Sequence, residues 1–319
     1  MSRAGRSPSR ARPLRGAARR VPTGAEYDRR PIGVFDSGIG GLTVVRELMH
    51  QLPHESLVYF GDTARVPYGN KSPETVRRFS REILDFLLER DVKLVVVACN
   101  TASAHALGEL QRVSRVPVEG VIEPGARAGV AASRNGRIGV IGTAGTIASG
   151  AYERAIHAAA LASGRDRADG ASEGSVTARE PSGAGRKVDV TARACPLFVP
   201  LVEEGWLDHP ASRLIAENYL APVKRQRIDT LVLGCTHYPL LKPLIADVLG
   251  PSIALIDSAE QTAAAVSREL EKSTLRAPAT QEGHVHFVVS DAPQQFVRVG
   301  KRFLGERVKD VEVKVLGEG

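Results

Sequence analysis

Eight short, largely apolar runs punctuate the chain beyond residue 31, at 32–35, 57–60, 94–98, 118–122, 138–141, 230–234, 253–256 and 285–289. Most are apolar at successive rather than alternate positions, so strands built from them must be covered on both faces. Amphipathic stretches at 41–52 and 73–90 lie between them. In the second, Val76, Phe79, Ile83, Phe86 and Leu87 recur at three- and four-residue spacing and share one helical face. Ser72 then falls at the N-cap and Pro73 at the first helical position, where its missing N–H is harmless. Continuous strands alternating with helices predict an α/β fold with a mostly parallel sheet. The longest wholly apolar run, 94–99, is far short of the roughly 18 residues of a membrane-spanning helix.

The pattern repeats. IGVFDSG at 32–38 resembles IGVIGTA at 138–144, and LVVVACNT at 94–101 resembles TLVLGCT at 230–236. The first pair lies 106 positions apart (32 and 138) and the second 136 (99 and 235). The extra spacing is close to the length of 162–190, a stretch rich in Gly, Ser, Ala and charge, without periodicity. Removing it brings the halves into register. The expectation is two related, pseudo-symmetric doubly wound lobes, with 162–190 a mobile surface insert.

Charge is concentrated at one end. Residues 1–30 carry nine arginines and no lysine against Glu26 and Asp28, which accounts for the entire net charge of +7. The remainder is neutral and offers no broad basic surface, so only the tail could suit nucleic acid. The tail has no apolar core for a signal peptide and too little hydrophobic content to fold alone, which predicts a disordered extension. Three cysteines are too few for a disulfide scaffold, and a reducing, cytoplasmic location is expected.

Cys195, before Pro196, reads as a small buried hydrophobe. Cys99 and Cys235 differ: each ends an apolar strand and is followed at once by polar residues, Asn100-Thr101 and Thr236-His237. Ligands of open α/β sheets bind beyond the carboxyl ends of strands, and a following helix N-terminus favours thiolate. No C-x-x-C unit supports a zinc site. A cysteine hydrolase could pair one thiol with His237, but would leave the second thiol without a role. Two opposed acid/base thiols explain the duplication, and racemisation is the reaction whose symmetry asks for them. Gly38-Ile39-Gly40-Gly41 lacks dinucleotide-binding spacing, and no lysine stands at a strand end for a Schiff base, so cofactor-free and metal-free chemistry is expected.

Six ordered motifs sharpen this reading: GVFDSGIGGLT (33–43), DTARVPYG (62–69), ACNTAS (98–103), IEPGA (122–126), CPLFVPLVE (195–203) and GCTHYPLL (234–241). Together they resemble the glutamate racemases of the aspartate/glutamate racemase family, over about 31–319 apart from the insert. The resemblance implies two α/β domains with the site in the cleft between them, 31–125 plus 263–319 forming the first and 126–262 the second. It implies cofactor-independent interconversion of L- and D-glutamate, supplying D-glutamate for peptidoglycan, and leaves room for a homodimer. By position, Cys99 and Cys235 match the two proton donor/acceptors, the first serving the D and the second the L enantiomer. Asp36 matches a carboxylate near the first thiol; Glu203 and His237 match groups near the second. Ser37, Asn100, Thr101 and Thr236 match residues that hold the amino-acid head group. Tyr68 and Gly69 match a binding loop, and Thr143 and Thr146 a hydroxyl pair of the second lobe. The departures are the tail, the insert and Gly145, where a slightly larger residue is expected. A related aspartate or hydantoin racemase, a cysteine hydrolase and a nucleic-acid-binding tail stay open as alternatives.

Overall fold

The computed structural model describes residues 27–169 and 186–317. Its strands are β1 (Ile32–Asp36), β2 (Leu57–Gly61), β3 (Leu94–Val97), β4 (Val118–Gly120), β5 (Arg137–Gly142), β6 (Asp189–Ala194), β7 (Thr230–Gly234), β8 (Ala254–Asp257), β9 (Val285–Val289) and β10 (Glu312–Val313). The helices are α1 (Leu42–Gln51), α2 (Pro73–Glu89), α3 (Asn100–Val113), α4 (Ile122–Ala132), α5 (Ala144–Ala148), α6 (Ala151–Asp169), α7 (Phe198–Glu204), α8 (Pro210–Arg225), α9 (Lys242–Leu249), α10 (Ser258–Lys272) and α11 (Pro293–Leu304). Among the described residues, no helix is long and apolar enough to cross a membrane.

The strands form two sheets, ordered β10-β9-β2-β1-β3-β4 and β6-β5-β7-β8, with every pairing parallel. The sequence repeat is visible as register. Ile32 pairs with Leu94 in the first sheet, and Ile138, its counterpart, with Thr230 in the second. In each sheet the chain reverses its direction of winding between these strands, and that switch point leaves a crevice beyond their carboxyl ends. Asp36 and Cys99 therefore emerge into one crevice, Thr143 and Cys235 into the other.

Helix α2 follows its sequence pattern. Ser72 Oγ accepts the Thr75 N–H at 3.3 Å, Pro73 opens the helix, and Val76, Ile83, Leu84, Phe86 and Leu87 are buried. One apolar cluster runs through both lobes, from Ile32 and Val34 through Leu42 on α1 and Ala126 on α4 to Val140 and Val232. Residues 125 and 263 lie inside α4 and α10, so those boundary positions fall within packed helices rather than linkers.

Three local expectations change. The strand at 118–122 stops at Gly120, because Ile122 opens α4. The insert is shorter than its composition suggests: α6 continues to Asp169 and β6 begins at Asp189, pairing with β5 along six residues, while 170–185 lie outside the described residues. Asp189–Ala194, polar and apolar by turns in sequence and partly covered in all but its first residue, is an edge strand rather than a loop. The tail too is shorter. Asp28 N–H donates to the Arg276 carbonyl at 3.0 Å, and Lys93 Nζ to the Asp28 carbonyl at 2.7 Å, tying 28–30 to the body. Residues 1–26 lie outside the described set.

Candidate active site

A cavity of about 350 Å³ lies between the two crevices. Asp36, Ser37, Tyr68, Gly69, Cys99, Asn100, Thr101, Thr143, Glu203, Cys235, Thr236 and His237 all line it, so twelve of the thirteen candidates converge on one space. Thr146 stands behind Thr143 and is hydrogen-bonded to it at 3.0 Å. Val66, Pro67, Pro196, Val199 and Pro200 supply apolar walls that the sequence reading did not single out. Their signal was present in the motifs at 62–69 and 195–203.

Cys99 is the N-cap of α3. Its sulfur accepts the Ala102 N–H at 3.5 Å, and its thiol donates to Ser37 Oγ at 3.4 Å. Burial pushes the thiol up to about 12 and the Asp36 charge adds to this; the Ser37 and Ala102 hydrogen bonds pull the other way and lose. The helix N-terminus thus does not make Cys99 a standing thiolate, as its position alone suggested. Burial also raises Asp36 above the ordinary carboxylate range, against the His237 charge and backbone N–H groups of Gly41, Gly38 and Ser37.

Cys235 has different surroundings. A 3₁₀ turn, Tyr238–Leu241, follows it rather than an α-helix. Its partner is His237, whose Nδ1 lies 3.9 Å from the sulfur and whose Nε2 lies 2.9 Å from Glu203 Oε1. Burial lowers the imidazole's proton affinity, but the hydrogen bonds to Cys235 and Glu203 outweigh it and raise the group to about 10. The two half-sites match in strand register and differ in the backbone that follows and in the chemistry beside each sulfur.

Glycines let these groups meet. A Cβ on Gly40 would stand 2.3 Å from His237 Nδ1, and one on Gly41 2.6 Å from Asp36 Cβ. Gly40 allows close approach of the lobes and Gly41 lets the loop pack on Asp36, demands unrelated to a dinucleotide motif. Thr43 Oγ1 fastens the same loop to the Thr236 carbonyl at 3.0 Å. Gly145 has an equally specific cause: a Cβ there would sit 2.9 Å from the Gly69 carbonyl oxygen.

The polar floor is shared between lobes. Thr101, Thr143 and Thr146 form a triangle of hydroxyls. Asn100 Oδ1 accepts from Tyr152 on α6 at 2.7 Å, while its buried Nδ2 has no hydrogen-bond partner among the described residues. A buried, unpaired donor beside a cavity is costly unless a ligand takes it. Tyr68 is anchored away from the cavity: its hydroxyl donates to Asp62, which also accepts from Arg65 Nε and from Ser290 Oγ at 2.9 Å. Its contribution is a ring and a fixed loop rather than a free hydroxyl. Among the described residues, no group of three His, Cys, Asp or Glu side chains is placed to hold a metal ion.

Residues 32–206 match the model of the Asp/Glu/hydantoin racemase family. The chain is 51% identical to the glutamate racemase of Geobacter metallireducens over 282 residues, 88% of this chain and 95% of that protein. It is 48% identical to that of Neisseria meningitidis over 290 residues, 91% and 98% of the two chains. Among solved structures, glutamate racemase from Thermus thermophilus in complex with β-chloro-D-alanine superposes with a TM-score of 0.74 at 45% identity, covering 90% of this chain and 97% of that one. The enzyme from Francisella tularensis in complex with D-glutamate gives 0.75 at 36% identity, covering 90% and 98%.

Proposed function

The chain belongs to the Asp/Glu/hydantoin racemase family, and from that premise we propose that it interconverts L- and D-glutamate by proton transfer at Cα between two cysteines, in the cytoplasm, supplying D-glutamate for peptidoglycan. One observation carries the reading: Cys99 and Cys235, at matching strand ends of two sheets, line a single cavity of amino-acid size.

In the L-to-D direction the Cys235 sulfur takes the Cα proton, with His237 and Glu203 as the acid–base group beside it. Cys99, kept protonated by burial, delivers its proton to the opposite face. The reverse reaction exchanges the roles. A Cα–H is a far weaker acid than a thiol, so the charge that grows on the substrate carboxylate needs fixed donors in a water-poor site. Thr101 and Asn100, in the first turn of α3, are such donors, and the orphaned Asn100 Nδ2 supports this use. No electron-sink cofactor enters the scheme.

The test is incubation of the purified protein with L-glutamate in deuterated water. D-glutamate carrying deuterium at Cα is expected. Recovery of unchanged, undeuterated L-glutamate at high enzyme concentration would overturn the proposal.

A further inference from the structure

The imidazole–carboxylate pair belongs to the second lobe, yet its supports come from the first. Helix α7 ends at Glu204 with Gly205 in the left-handed conformation at φ 79°, and the N–H groups of Gly205 and Trp206 return to the Val202 and Leu201 carbonyls. The next two carbonyls, of Glu203 and Glu204, are taken by one side chain: Arg302 Nη1 donates to Glu203 O, and Nη2 to Glu204 O at 3.3 Å. A cation on the carbonyl end of a helix is favourably placed. Gly205 is also the residue that makes room, since a Cβ there would lie 2.9 Å from the guanidinium. The next residue, Phe303, presses its ring edge-on against His237, with centroids 5.9 Å apart at 87°. Both come from α11, which is rooted in the first lobe by buried Phe296 and Val299, with Phe296 5.8 Å from the Tyr59 ring of β2.

We propose that Arg302 and Phe303 are positioning residues: α11 of the first lobe sets the Glu203–His237 pair against Cys235, so this half of the proton-transfer machinery is assembled only while the lobes are in contact. The inference rests on the racemase reading for its consequence, although the positioning itself is a property of the folded protein. The charged and titratable groups facing the imidazole are Glu203 on α7, Cys235 after β7 and Asp36 at the end of β1, with Arg302 beyond Glu203. The sign of the effect identifies its cause. Losing the Arg302 cation by itself would raise the proton affinity of His237. Losing the alignment of Glu203 would lower it.

The experiment titrates the His237 ring by NMR in the full-length protein, assigned with His237→Asn, for wild type, Arg302→Met, Arg302→Lys and Phe303→Leu. The expected result is a midpoint about one unit lower in Arg302→Met, partly restored in Arg302→Lys, and lowered in Phe303→Leu. In parallel, kcat/KM of Arg302→Met should fall roughly tenfold, a fraction of what a general acid–base group contributes, with its alkaline limb moved the same way. A midpoint unmoved or raised in Arg302→Met overturns the proposal. Failure of the wild-type protein to exchange Cα hydrogen would instead sink the racemase reading, while the ring titration still decides the positioning.

Discussion

Thr101 and Thr143 meet hydroxyl to hydroxyl at 2.9 Å, one from the start of α3 in the first lobe and one from the end of β5 in the second. Thr146 closes the triangle at 3.2 and 3.0 Å. The three hydroxyls satisfy one another. Thr101→Val keeps the shape and removes the donor. A hydrogen bond to a charged group contributes about 1.5–3 kcal/mol, so kcat/KM for glutamate should drop roughly ten- to a hundredfold, with kcat falling because the bond strengthens as charge grows on the carboxylate. Steady-state kinetics alongside an unchanged thermal midpoint checks this.

The two thiols are not interchangeable with alcohols. Serine in place of Cys99 or Cys235 keeps the approximate size but holds its proton far more tightly, so either variant should lose racemisation by a factor of about 10²–10⁴ or more. Since the enantiomers have equal free energy, kcat/KM must fall equally in both directions. Circular dichroism monitoring of each direction measures it, and a single variant retaining near wild-type turnover would defeat the two-thiol scheme.

How far the sequence carried this site depends on which signals are local. A strand end, a cysteine and two polar residues form a local pattern, and the matched register of Ile32 with Leu94 and Ile138 with Thr230 shows that the repeat was structural. The contacts that make the halves unequal are not local. Glu203 reaches His237 across 34 positions, and Arg302 reaches Glu203 across 99. Burial at Cys99 overrides a helix N-terminus that the sequence could locate but not weigh. The polar–apolar alternation of DVTARA in β6 merges with the low-complexity stretch beside it, because a partly covered edge strand has too few apolar residues to stand out. Gly145 departs from the expected pattern for a reason no local signal carries, the Gly69 carbonyl oxygen standing 2.9 Å from where its Cβ would lie.

His237 should mark the stability of the protein with pH. Burial lowers its proton affinity, and the hydrogen bonds to Cys235 and Glu203 more than offset this, leaving the folded group at about 10 against an ordinary value of 6.5. A folded-state value above the unfolded one means the native protein binds the proton more tightly. That contribution is complete below about 6.5 and is lost as pH climbs through about 10. The gap in urea midpoint between wild type and His237→Asn should therefore be widest near pH 6 and shrink steadily toward pH 10. A gap independent of pH would contradict this linkage.

Lys93 and Glu55 form an ion pair at 2.6 Å with side chains 0% and 2% exposed. Glu55 Oε1 also accepts the Ala277 N–H at 2.8 Å, so one carboxylate ties β3's approach to the segment leading into β9. Removing one partner of a buried pair leaves a charge without compensation, at a cost of about 3–5 kcal/mol. Lys93→Met should show that loss in urea unfolding, and adding Glu55→Gln should recover part of it. Equal stability of the single and double variants would show that the pair is not coupled.

The same lysine distinguishes two truncations. Deletion of 1–26 removes seven of the nine tail arginines and a segment whose composition is too poor in apolar residues to build a core, so turnover and urea midpoint should match the full chain. Deletion of 1–30 also removes the Asp28 carbonyl that accepts from Lys93 Nζ, and the Asp28–Arg30 pair beside it. An unpaired donor on a buried ammonium costs about 1–3 kcal/mol. The shorter chain should therefore unfold at lower urea while its kcat stays near wild type, because the lost contacts lie away from the residues lining the cavity. A matching fall in turnover on deletion of 1–26 alone would place the arginine-rich segment in the working site.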